Sequence, residues 1–238
     1  SMVLLGLVDT AMVGTLGNAA LAAVGLSSFA AFTFLGMFYG FSIAVQATVS
    51  RRIGQGRSAE CARPLHAGLV VIGASAPVMS VALYFLVPYL LPLINRDPEV
   101  VAIGIDYIRW LILQAAFVGF ISANTGFWNG IGETRIYLVS MVLMHITNIF
   151  FNYVFIFGKF GAPVMGAEGA GLATFLASFV GAVLYLRLGL KYGGAYGYLR
   201  ERTNKAEILA VLRLAVPAGL QQLLDVAALT ATYAIVGL

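Results

Sequence analysis

Met2-Val-Leu-Leu-Gly-Leu-Val-Asp-Thr-Ala-Met-Val-Gly14 carries a single charge, Asp9, in an otherwise apolar run. A carboxylate in hydrocarbon costs about 2.5–3.5 kcal/mol on insertion scales. Such an acid either serves a site or reaches back to the headgroups, and the rest of the chain has to decide which. Hydrophobic residues make up 61% of the 238 residues and charged residues 10%, with a mean hydropathy of +0.93. Soluble domains carry about 25% charge, so this composition belongs in lipid. The 27 glycines agree, because glycine lets membrane helices approach closely. The expected fold class is all-α, a polytopic membrane helix bundle.

Outward from Asp9, long uncharged runs cover about 1–17, 20–50, 65–94, 100–130, 134–158, 167–190 and 211–238. Breakers and charges separate them: Gly54-Gln-Gly56-Arg57, Asn95-Arg-Asp-Pro98, Gly130-Ile-Gly-Glu-Thr-Arg135, Gly158-Lys-Phe-Gly161 and the longer 192–206. Several runs exceed the ~20 residues that cross a bilayer core, which predicts tilt, kinks or protruding ends. Pro88, Pro92 and Pro217 are the candidate bends. Ser1 to Gly14 falls short of a span and has no basic leader, so the first segment reads as the end of a longer helix. The last apolar run ends as abruptly, and the chain is expected to be a piece of a longer protein.

Basic residues are distributed unevenly. Arg51, Arg52, Arg57 and Arg63 flank the second loop, Arg135 lies in the fourth, and Arg187, Lys191, Arg200, Arg202, Lys205 and Arg213 flank the sixth. The third and fifth loops hold only Arg96 and Lys159, beside Asp97, Glu99 and Glu168. The positive-inside rule therefore makes the even loops cytoplasmic and starts the first helix inside. The net charge of +4 reflects this orientation, and no nucleic-acid partner is expected. Cys61 has no second cysteine to pair with and reads as a packed or loop thiol.

The fifth segment reads His145-Ile-Thr-Asn148-Ile-Phe-Phe-Asn152 and sets two amides on one helical face, with His145 three residues before them. Amides in membrane helices also serve as plain interhelical hydrogen bonds, and spacing alone leaves both readings open. Beside Asp9 their oxygens suit a hard cation such as Na⁺. Thr174 can add another oxygen or bond back to its own helix. Asp106 and Arg109 read as a pair at the interface, with Trp110 an aromatic anchor. Asp225 is a second acid in an apolar run, and the sequence assigns it no partner. No nucleophile elbow, phosphate loop or paired-carboxylate spacing occurs, so no enzymatic activity and no cofactor are expected beyond a coupling ion, H⁺ or Na⁺.

Leu4-Leu-Gly-Leu-Val-Asp-Thr-Ala-Met-Val-Gly-Thr-Leu-Gly17 resembles the first helix of the multidrug and toxic compound extrusion (MATE) family, nearest its DinF-like branch. Gln46-Ala-Thr-Val-Ser-Arg-Arg-Ile-Gly-Gln-Gly-Arg57, Gly130–Arg135, Asn148–Asn152 and Arg213–Gln222 are similar to that family's second helix end, fourth loop, fifth-helix ion motif and seventh-helix opening. The faint echo of Met12-Val-Gly14 in Val236-Gly-Leu238 agrees with a second copy beginning there. The resemblance implies a two-lobed transporter of about twelve helices. Residues 1–195 would be its amino-terminal six-helix lobe, and 196–238 a cytoplasmic linker and the start of the second lobe.

It further implies an antiporter of a bacterial inner membrane that exports cationic, amphipathic small molecules in exchange for H⁺ or Na⁺. Its partners would be membrane lipid and the carboxy-terminal lobe of the same protein. Position by position, the coupling residues would be Asp9, Asn148, Asn152, Tyr107 and Thr174, with Na⁺ possible at Asp9, Asn148, Asn152 and Thr174. The family often has Asp where Asn152 stands, which leaves Asp9 as the main charge. A lipid or lipid-linked precursor flippase of the same superfamily is the nearest alternative, disfavoured by the scarcity of cations in the apolar segments. An ion channel with Asp9 in its pore is another.

Overall fold

The computed structural model describes the backbone of residues 9–236 and, in the last helix, side chains through Asp225 and at Ala228. Leu4–Val8 of the first motif and Gly237-Leu238 of the terminal echo lie outside the described residues, as does the start of the first segment. Residues 9–14 are helical (α1). Then follow α2 (Asn18–Gly54), α3 (Ala62–Ile94), α4 (Pro98–Leu113), α5 (Ala115–Gly130), α6 (Thr134–Phe157), α7 (Gly166–Tyr192) and α8 (Lys205–Val236). No strand occurs among the described residues, and the protein is an all-α membrane bundle. Five helical stretches are long and apolar enough to cross a membrane, and α4 with α5 makes a sixth, bent span.

The separators do their work through backbone chemistry. Asp97 caps α4, its carboxylate accepting from the Glu99 amide at 3.0 Å and from Val100 at 3.4 Å, with Pro98 opening the helix. Asn204 caps α8 by accepting from the Glu207 amide at 2.9 Å. Gly56 and Gly132 end the turns after α2 and α5 at φ +73° and +90°, a region that a Cβ disfavours.

In the fourth segment a break occurs that no proline marks. α3 runs unbroken through Pro77, Pro88 and Pro92, and α8 through Pro217. The break falls instead at Gln114, between α4 and α5, which are bent by 46°. Gln114 spends its side-chain oxygen on Ser178 of α7 at 2.7 Å. That buried bond holds the break in place without any proline.

Two compact units form. The first comprises Ser1–Phe32, Ala76–Phe117 and Val139–Val183. Its helices meet over small residues. Gly104 lets α4 approach α2, since a Cβ there would come within 2.7 Å of Leu91 and 2.8 Å of Ser27. The Ser27 hydroxyl donates to the Gly104 carbonyl at 3.2 Å. Gly169 and Gly171 bring α7 against Phe155 of α6 and against Tyr107 and Trp110 of α4.

The second unit comprises Thr33–Ser75, Val118–Leu138 and Leu184–Leu238. It carries all three even-numbered loops with their basic residues. α5 lies on α2 through Gly126, where a Cβ would overlap the Ser42 carbonyl, and Gly130, packed on Val49. α8 lies on α2 through Gly40 and Gly219. Val45, Val49, Leu65, Phe127 and Trp128 fill the core between them. Cys61 is buried there, its thiol 3.7 Å from the Arg57 carbonyl, a packed thiol.

Candidate functional site

In the first unit, Asp9 of α1 meets α6 and α7 in one hydrogen-bonded chain. Asn152 donates from Nδ2 to the Asp9 carboxylate and to Asn148 Oδ1 at 3.1 Å. Asn148 donates from its own Nδ2 to Thr174 Oγ1 at 3.2 Å, and Thr174 passes its hydrogen to the Ala170 carbonyl at 2.9 Å. The i, i+4 spacing of Asn148 and Asn152 is what puts both amides on the same face of α6. Thr174 satisfies both readings of its hydroxyl, bonding back to its helix while accepting across to α6.

The sum of these bonds leaves oxygen in excess. Asn152 is fully buried and Asn148 nearly so, and Asn152 Oδ1 has no hydrogen-bond partner among the described residues. A buried acceptor left so costs about 1–3 kcal/mol unless something supplies it with positive charge or a hydrogen. The chain links the Asp9 carboxylate to Asn152, Asn148 and Thr174, whose side-chain oxygens are of the kind that a hard cation takes. Among the described residues no three His, Cys, Asp or Glu side chains converge on a metal-sized site, so a softer metal finds no matching ligands.

Tyr107 stands beside this chain but outside it. Its hydroxyl is 2.9 Å from Ser28 Oγ on α2, and the Asp9 charge reaches it electrostatically. Ser28 escaped the sequence reading because a lone serine in an apolar helix gives no periodic signal. His145 does not join the chain either, and both of its ring nitrogens are buried without a hydrogen-bond partner among the described residues. Asp106 and Arg109 approach to 3.7 Å, with the guanidinium 4.9 Å over the Tyr84 ring. Trp110 donates to Glu168 of α7 at 3.2 Å. Asp225 is exposed on α8.

A protein-family model described as MatE matches residues 1–154. A probable multidrug resistance protein NorM of Thermotoga maritima is 30% identical over 180 residues, 75% of this chain and 39% of its own length. The namesake in Listeria monocytogenes is 29% identical over 238 residues, 96% of this chain and 51% of its own. The chain thus spans about half the length of the curated relatives it matches. Among solved structures, an inward-facing multidrug resistance MATE family transporter of the MOP superfamily superposes with a TM-score of 0.84 at 23% identity, over 96% of this chain and 52% of that one. A MOP superfamily transporter from Pyrococcus furiosus, described as having a binding pocket of reversed polarity, superposes at 0.82 with 25% identity, over 93% and 49%.

Proposed function

The chain belongs to the MATE family, and from that membership we propose that it is the ion-coupling lobe of a secondary efflux antiporter. Residues 1–195 form the amino-terminal lobe, and 196–238 the cytoplasmic linker and the first helix of the second. The protein sits in a bacterial inner membrane with its even loops in the cytoplasm, and it exports cationic amphipathic molecules against entry of H⁺ or Na⁺. The observation carrying this reading is the buried Asn152 amide, which donates to the Asp9 carboxylate while its Oδ1 has no partner among the described residues.

The mechanism follows from charge balance. An ionised Asp9 in this apolar setting is costly, and one monovalent cation or one proton removes the cost. Loaded, the lobe can close around a neutral site; unloaded, it needs compensation from elsewhere. A cationic drug in the cleft between the two lobes supplies the same compensation, so ion and drug exclude each other. Asn152 holds Asp9 in place, while Asn148 and Thr174 fix which way the Asn152 amide points. With asparagine at 152, one charge per cycle suffices. Alternating access then requires the second lobe to move against this one.

Proteoliposomes of the full-length protein test the reading, loaded with a fluorescent cationic dye and given a pH gradient or a Na⁺ gradient separately. Dye movement driven by one gradient and collapsed by its dissipation is expected. Dye flux indifferent to both gradients, or ion current without dye exchange, would overturn it.

A further inference from the structure

The basic residues of the second loop do more than orient the chain, because Arg63 also grips the segment that follows α7, through Glu201. Residues 193–204, which join α7 to α8, form a short strap on the second unit. Tyr198 is its anchor. The ring lies over Gly189 and Gly193, where a side chain would collide with it, and its hydroxyl donates to Asn124 Oδ1 of α5 at 2.9 Å. Burial pushes the Tyr198 phenol above its ordinary range, so it stays a donor at any physiological pH.

Beyond Tyr198 the strap is held by His66 of α3. The Leu199 amide donates to His66 Nε2 at 3.0 Å, and His66 Nδ1 lies 2.6 Å from the Glu201 carbonyl. A backbone N–H can only donate and a backbone carbonyl can only accept. The tautomer is therefore fixed: Nε2 is bare, Nδ1 carries the hydrogen, and the ring is neutral with both nitrogens spent on the strap. Leu199 is meanwhile held at φ +55°, a conformation that its Cβ opposes, with its side chain exposed. The clip holds a backbone that would otherwise relax.

We propose that His66 makes the strap 193–204 a proton-sensitive fastening: a proton added at Nε2 turns the acceptor facing Leu199 N–H into a second donor and frees the strap. The neighbouring charges are Arg63 on α3, Glu201 on the strap, Glu60 before α3, Arg52 on α2 and Glu207 on α8. Arg63 holds Glu201 at 2.9 Å and Glu60 at 3.0 Å, and Arg52 pairs with Glu207. Glu201 is the carboxylate on the strap itself, so loosening that survives Glu201→Gln belongs to His66, an imidazole being the side chain whose charge changes between pH 5 and 8. The clip is complete where the ring is neutral and is lost as pH falls through the imidazole range. In the proposed orientation this ties the tether between the lobes to cytoplasmic pH.

Amide hydrogen exchange on the full-length protein in nanodiscs reads this directly, since both faces meet the same buffer and neither transport nor orientation enters. Exchange rates for 198–202 are compared at pH 7.5 and 5.5 after correction for intrinsic rates. The neutral ring is the one that fits the clip, so the released ring takes up the proton. A released imidazole of ordinary pKa, about 6.5, predicts about a tenfold loss of protection at the lower pH. Glu201→Gln should keep that loss, and His66→Gln should abolish the pH dependence. Unchanged wild-type protection, or a loss that persists in His66→Gln, overturns the proposal. If His66→Gln does not fold, Glu201→Gln decides: a loss of protection between pH 7.5 and 5.5 that survives it supports the clip, and one that it removes overturns the proposal.

Discussion

The Asn152 amide gives hydrogens to both Asp9 and Asn148, while its own buried oxygen has no partner among the described residues. That asymmetry organises the site. The amide's donor end fixes the carboxylate, and its acceptor end is the one the proposed coupling cation or proton would satisfy.

Asp9→Asn removes the only charged side chain in the hydrogen-bonded chain while keeping its size. The full-length variant should insert at wild-type levels and lose gradient-driven export to background. Membrane fractionation and dye efflux measure the two halves of that statement. Export that still follows an ion gradient would sink the coupling role of Asp9.

Asn152→Asp places a second carboxylate against Asp9. Two like charges at hydrogen-bond distance cannot both stay ionised in an apolar site without extra compensation. The ion-to-drug ratio should rise from one towards two, read from the membrane potential at which flux reverses. A ratio unchanged from the parent would show that position 152 does not set stoichiometry.

The close helix approaches make a separate, purely structural claim. A Cβ at Gly126 would overlap the Ser42 carbonyl, whereas one at Gly73 meets nothing within 4 Å. Backbone cannot move aside as a side chain can, so Gly126→Ala should destabilise by about 1–3 kcal/mol. Gly73→Ala should be neutral or slightly stabilising, because alanine favours the helix. Thermal unfolding in detergent compares them, and equal melting temperatures would contradict the packing of α5 on α2.

The helices were legible because apolar length and interrupted charge are local properties of the chain, readable one segment at a time. The grouping of Asp9 with Asn152, 143 residues away, was of another kind: spacing put the two amides on one face of α6, and only the family resemblance joined that face to α1. Gln114 was hidden because its break depends on Ser178, and polar partners 64 residues apart leave no periodic trace. His66 was hidden because its two partners are backbone groups that every residue possesses.

Arg52 is the remaining charge whose role can be separated from orientation. Its side chain is 9% exposed, and it donates to the Glu60 carbonyl at 2.6 Å while pairing with Glu207, which is 16% exposed. Truncation to Ala leaves a mostly buried carboxylate without its cation, a loss of about 3 kcal/mol by comparison with other buried pairs. If Arg52 served only to orient the chain, Arg52→Ala would cost little, since Arg51 and Arg57 remain beside it. The reversed pair, Arg52→Glu with Glu207→Arg, should recover part of the loss and so isolate the interaction itself. Melting temperatures of the two singles and the double give that coupling; a coupling near zero would return Arg52 to the role of a topological signal alone.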